Sequence, residues 1–135
     1  MNTTNTPKTR VSKKNTHYRI TSIDDIKLEK DRKNAPVKSD VFKIKGWAFD
    51  KHSYGPAKTV WLEINGKDYK TTYGLQRKSV AKRFGNKALE KTGFVRKLNK
   101  ADFEVGRHRV KVKVLSSDGN EIFNKPHKPT FFTIK

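Results

Sequence analysis

Arg107-His108-Arg109-Val110-Lys111-Val112-Lys113-Val114 alternates in character over eight consecutive residues. A period of two is what a β-strand needs when one face meets a core and the other meets water, and it sorts poorly onto any helix. A second run, in which Val60, Leu62 and Ile64 alternate with Trp61 and Glu63, ends at once in Asn65-Gly66. Asn-Gly supplies the positive-φ positions of a two-residue hairpin, so Lys67 to Tyr73 is expected to return antiparallel. Together these runs commit the chain to antiparallel sheet.

The remaining elements fit that commitment. His17 to Ile23 has strand composition, and Val41 to Asp50 turns Phe42 and Ile44 inward while Lys43 and Lys45 face out. Residues 24–40 are charged, end in Asn34-Ala35-Pro36 and read as a loop, and His52 to Pro56 reads as a turn. Leu75 to Phe84 is the one helical candidate: Leu75, Val80 and Phe84 share a face, and Gly85 ends it. Thr92 to Leu98 is a further strand, and Asn99 to Gly106 is a connection with Phe103 tucked inward. Asp118-Gly119 is a turn, and Phe123 and Phe131 to Ile134 supply the last strands. About seven short strands with one inserted helix is the count of an all-β, immunoglobulin-like antiparallel sandwich. Residues 1–16 have Val11 as their sole aliphatic β-branched side chain and read as a flexible basic tail, with residues 17–135 as the sandwich domain.

Composition limits what this sandwich can do. Lys and Arg number 32 against 13 Asp and Glu, a formal net charge of +19. Such an excess strains the compact state and favours anionic partners: nucleic acid, anionic glycans or teichoic-type polymers, anionic lipid head groups or acidic protein surfaces, with a polymer, glycan or nucleic acid, as the expected one. With no Cys there is neither a disulfide framework nor thiolate chemistry. No apolar stretch reaches membrane-spanning length, and the N-terminal segment lacks the apolar centre of a secretion signal. A chain starting natively at Met1 would stay intracellular or travel in a particle, whereas an excised domain would face the envelope. The oligomeric state and any protein partner stay open.

Two basic clusters are candidate binding surfaces. Arg107, Arg109, Lys111 and Lys113 place every second cation on one sheet face, at about 6.6 Å spacing, close to the repeat of phosphates along a strand. Lys43 and Lys45 would flank this rail if their strand were its neighbour. Arg77, Lys78, Lys82 and Arg83, followed by Lys87, form the second cluster on and after the helix. Among aromatic residues Trp47 follows a buried-type strand and reads as core, while Trp61 points away from Val60, Leu62 and Ile64 and is the candidate stacking residue. An enzyme is not expected. His17, His52, His108 and His127 are scattered, no carboxylate cluster accompanies them, and no cofactor, metal or Gly-rich phosphate motif is recognisable.

Several phrases carry a resemblance: Gly46-Trp47-Ala48-Phe49-Asp50, Pro56-Ala57, Val60 to Gly66, Tyr73-Gly74-Leu75-Gln76-Arg77, Val80-Ala81, Phe84, Asn86, Thr92-Gly93-Phe94, Gly106-Arg107-His108 and Asp118-Gly119. In this order they resemble the small β-sandwich modules found beside membrane-embedded regions of bacterial envelope glycosyltransferase-like proteins. The resemblance implies a non-catalytic module and favours an anionic envelope glycan or phosphate-bearing polymer as ligand. Where that family reads Tyr-Gly-Leu-x-Arg-Pro-Asp-Val-Ala, Lys78 and Ser79 replace the Pro-Asp pair, removing a carboxylate and adding a cation. Ser79 can then serve as helix cap, and Arg77 either pairs with Asp50 or Glu63 or touches a ligand. The competing expectation is a structural component of a virion or other nucleoprotein particle, contacting nucleic acid or an acidic shell through the tail and basic faces.

Overall fold

Each alternating run becomes a strand because it can turn every second side chain into a shared apolar layer. The computed structural model describes residues 9–14, 16–28, 33–125 and 129–135. The strands are β1 (Arg10–Val11), β2 (His17–Ile23), β3 (Ile26–Lys27), β4 (Asn34–Val37), β5 (Val41–Phe49), β6 (Thr59–Ile64), β7 (Lys67–Lys70), β8 (Thr72–Leu75), β9 (Gly93–Asn99), β10 (Gly106–Leu115), β11 (Glu121–Phe123) and β12 (Thr130–Ile134). Helix α1 (Lys78–Phe84) lies between β8 and β9.

Two sheets result, and the chain is an all-β sandwich. A five-stranded antiparallel sheet has the order β3-β2-β5-β9-β8. The seven-stranded sheet is built around β10, with β6 and then β7 on one side and β11 and β12 sharing the other edge. Phe42, Ile44 and Phe94 from one sheet meet Leu62, Ile64, Val110, Val112 and Phe132 from the other. His108 belongs to this layer as well. Its ring stacks on Phe132, and Nε2–H donates to the Glu104 carbonyl at 2.7 Å, leaving Nδ1 to accept from Asn65 at 3.1 Å.

Several expectations need correction. The stretch 24–40 is not one loop, since it holds β3 and β4. β4 pairs in parallel with β12, burying Ala35 and Val37, and Pro36 is tolerated because β4 is an edge strand. The stretch 1–16 is not wholly a tail. Arg10–Val11 pair in parallel with Glu121–Ile122, and Thr16 N–H reaches the Lys125 carbonyl at 2.9 Å. Main-chain bonds hold this segment where apolar burial cannot, since Val11 remains 62% exposed. Residues 1–8 and 15, and His127, lie outside the described residues.

The hairpin after Asn65-Gly66 forms as expected but is shorter. Thr71 donates both its N–H and its hydroxyl to the Val60 carbonyl, and beyond it the chain crosses to the five-stranded sheet as β8. Leu75 is therefore a strand residue, and α1 turns only Val80 and Phe84 onto Trp47 and Phe49. Arg77 occupies the N-cap position with no side-chain cap, so Ser79 does not serve as one. Gly85 ends the helix in the left-handed conformation at φ 62°.

Asp50, at the end of β5, ties two turns together. Its carboxylate accepts from the His52 N–H at 2.8 Å and from the Ser117 N–H and hydroxyl at 2.8 and 2.9 Å. Burial pushes its pKa up, but these hydrogen bonds outweigh it and leave the group below the ordinary carboxylate value. A lowered folded pKa gives stability that is present above the unfolded value and is lost as pH falls through the folded one. Asp50→Ala is expected to cost about 2 kcal/mol at pH 7, because two backbone donors lose their acceptor. The difference from wild type should shrink in urea titrations as pH falls below the ordinary carboxylate value. A constant difference between pH 7 and pH 2.5 would show that the charge contributes nothing.

Candidate functional site

The basic strand of the sequence reading does present its cations on one outer face, yet it is not a free rail. Register sets Lys111 opposite Glu63 and Lys113 opposite Trp61, with Glu63 in turn opposite Asp68. Lys113 Nζ lies 2.9 Å from Asp68 and 3.6 Å from Glu63, and Lys111 lies 4.0 Å from Glu63. Burial lowers the Lys113 pKa, but Asp68 and Glu63 more than offset that and hold it above the ordinary value. Half the rail is thus neutralised by its own sheet. Arg107 lies 4.4 Å over the Phe131 ring. Trp61 is half-buried on this face, between Lys113 and Lys70 in register.

Lys43 and Lys45 do not flank that strand. They belong to β5, in the other sheet, and open on the opposite side of the sandwich. There the register brings together cations that lie far apart in sequence. Lys43 is directly opposite Lys97. Ser22 links Lys45 on one side to Lys27 on the other. Arg19 is opposite Trp47, beneath α1. None of Arg19, Lys27, Lys43, Lys45 or Lys97 makes an ion pair with a carboxylate among the described residues. Like charges directly across a ladder repel, so the Lys43–Lys97 pair costs energy that an anion would relieve.

At one end of this face α1 stands over the sheet and leaves a depression of about 320 Å³. Its cationic lining is Arg19, Lys27, Arg77 and Arg83, its hydroxyls are Thr21 and Ser79, and its described lining residues include no carboxylate. Trp47 forms part of the base, with its ring stacked on Phe49 at 5.8 Å and edge-on to Phe84. Trp47 is buried, as the sequence suggested, but in a second apolar cluster under the helix and not between the sheets. Arg77 pairs with neither Asp50 nor Glu63: its Nη2 donates to Thr21 Oγ1 at 3.1 Å, and that hydroxyl donates to the Lys45 carbonyl at 3.2 Å. Lys78 and Lys82 are exposed and do not line the depression, and Arg83 lies 5.7 Å from the Phe84 ring. No acidic residue occupies the first turn of α1. Where the resembled pattern has Asp, Ser79 lines the depression.

Sequence reasoning missed Arg19, Lys27 and Lys97. The signal for Arg19 was there, since it alternates with Tyr18 and Ile20, but only strand pairing puts it beside Arg77. Among the described residues no helix is long and apolar enough to cross a membrane.

No protein-family model matches the chain, and no curated protein matches it. Among solved structures, 92% of the chain resembles a segment of an endo-beta-1,4-mannanase from Thermotoga petrophila, with a TM-score of 0.53 and 7% identity. The chain spans 20% of that enzyme's length, and the likeness is one of fold alone.

Proposed function

We propose that this chain is a non-catalytic, immunoglobulin-like binding module that engages a polyanionic polymer through the outer face of its five-stranded sheet. Arg19, Lys27, Lys43, Lys45 and Lys97 form the contact surface, and Arg77 and Arg83 extend it onto α1. Lys78 and Lys82 add long-range attraction from the helix, and Arg107 and Arg109 a weaker patch on the opposite sheet. The observation that carries the reading is the direct apposition of Lys43 and Lys97 in a ladder that supplies no carboxylate among the described residues. Ordinary solvated sheet faces interleave the two signs of charge, as the opposite sheet does with Glu63 and Asp68.

The resemblance to modules beside envelope glycosyltransferase-like proteins favours an anionic envelope glycan or phosphate-bearing polymer as the partner. Nucleic acid is the competing ligand. Titrating binding against salt separates the two. A polymer held by five to seven phosphate contacts should show log affinity falling with log salt at a slope of about −4 to −6. Saturable binding to a teichoic-type polymer, with duplex and single-stranded nucleic acid at least tenfold weaker at matched salt, is the expected result. Tighter binding to nucleic acid would assign the module to a nucleoprotein particle, and salt-independent or absent binding to both would end the proposal.

A further inference from the structure

We propose that the depression beneath α1 is a site for a dianionic phosphoryl group, the head of a phosphomonoester. The inference rests on reading the five-stranded face as the binding face and narrows it to one end. Its lining is asymmetric: four side chains bring positive charge and the described lining residues bring no negative charge. Four cations around one small volume repel each other strongly, and a group with two negative charges relieves more of that repulsion than a singly charged one.

The donors suit a tetrahedral oxyanion. Each arginine carries five N–H groups in a planar fork that matches phosphate oxygens in pairs. Arg77 spends one of them on Thr21, which fixes the guanidinium at the edge of the depression while the rest of its fork stays available. Arg83, braced against Phe84 from the last turn of α1, faces the site from the helix side, and Arg19 faces it from the sheet. Ser79 adds a hydroxyl. The apolar base of Leu28, Trp47 and Val80 offers contact to the carbon skeleton that bears the phosphate. A volume of about 320 Å³ holds the phosphoryl group with a sugar-sized remainder.

The test uses the full chain and three small probes: inorganic phosphate, methyl phosphate and dimethyl phosphate. Binding is followed by the NMR signals of the arginine Nε–H groups and the indole N–H groups. Inorganic and methyl phosphate should saturate a single site, with shifts concentrated on Arg19, Arg77, Arg83 and Trp47. Dimethyl phosphate, confined to one charge, should bind at least tenfold more weakly. Affinity for methyl phosphate should also drop several-fold from pH 7.5 to pH 5, as the ester loses its second charge near pH 6. Arginine and lysine do not titrate in that range.

Ser79→Asp should lower methyl phosphate affinity at least tenfold by placing a carboxylate among the cations. It should leave the melting temperature unchanged or raised, because an acid in the first helical turn suits the helix dipole. Ser79→Ala should lose no more than a few-fold in affinity. Sugar phosphate in solution and phosphatidic acid in neutral vesicles distinguish the natural sources, and capture of either supports the site. Equal affinity for the mono- and diester, shifts spread over all lysines without saturation, or Ser79→Asp at wild-type affinity would each overturn the proposal. Failure of the polymer reading looks different: wild type would bind no anionic polymer while its methyl phosphate titration stood.

Discussion

Changing Lys43, Lys45 and Lys97 together to glutamate is expected to weaken binding of an anionic polymer several hundredfold at about 0.1 M salt. Counterion release sets the size of this loss. Each neutralised phosphate adds about 0.9 to the salt slope, so each contact is worth a factor of about eight between 1 M and 0.1 M salt. Three contacts multiply to several hundred, and the slope itself should fall by about three. Reversed charge adds repulsion on top. The fold should survive, because Lys43 and Lys97 are exposed, Lys45 is only half-buried, and none of the three has a carboxylate partner to lose among the described residues. The exchange does not relieve the repulsion across the Lys43–Lys97 pair, since two glutamates repel as two lysines do.

The informative control is Lys111→Glu with Lys113→Glu. Were the alternating strand a free cationic rail, this pair would abolish polymer binding without unfolding the domain. Their pairing with Glu63 and Asp68 reverses that expectation. The substitutions would gather four carboxylates on one patch, so the melting temperature should fall while polymer affinity changes less than tenfold. A triple variant of the five-stranded face that binds as wild type, alongside a Lys111/Lys113 variant that does not, would move the binding face to the other sheet. Isothermal titration calorimetry, with thermal melts on the same samples, decides between them.

Gly46→Ala should cost at least about 3 kcal/mol, a large part of the roughly 5–15 kcal/mol that holds a domain of this kind folded. A Cβ at this position would stand 2.2 Å from the Arg19 carbonyl oxygen and 2.7 Å from Phe94 Cζ. The ring could shift at some cost in packing. The oxygen cannot, because it belongs to the backbone of β2, which is laddered to β5 on either side of Gly46. Hence Phe94→Leu should rescue little of the loss. Gly55→Ala is the control: its Cβ would meet only Ser53 Oγ at an ordinary 3.6 Å, and its cost should stay within about 1 kcal/mol. Urea midpoints for the three variants supply the comparison. Gly46→Ala with a wild-type midpoint would mean that β2 and β5 pair less tightly than a continuous ladder on both sides of Gly46 requires. The effect would also reach the outer face of the five-stranded sheet, since Arg19 and Lys45 flank Gly46 across this ladder.

The strands that were legible are those whose own side chains alternate. β5, β6 and β10 could be read because Phe42 and Ile44, Val60 to Ile64, and Val110 to Val114 each bury a period-two set. β1, β3 and β4 were not, because their membership comes from main-chain pairing with β11, β2 and β12 and only β4 buries much of itself. Pro36 pointed toward loop for the same reason, as an edge strand tolerates proline while looking like a break in the pattern. Among the candidate site residues, the inward or outward facing of Lys43, Lys45, Lys111 and Lys113 followed from alternation. Which of them are neutralised did not.

Local chemistry in the chain therefore determined its strand periods, its Asn-Gly hairpin, the helix stop at Gly85 and the strong positive charge. Each of these depends on neighbours within a few residues, where side-chain direction follows directly from backbone type. Tertiary structure decided which sheet each cation joins, and so which ones meet Glu63 and Asp68 and which meet only other cations. That outcome depends on pairing across the chain, such as Lys97 with Lys43 or Arg19 with Trp47, and electrostatic energy at contact range is set by those distances and not by order in sequence.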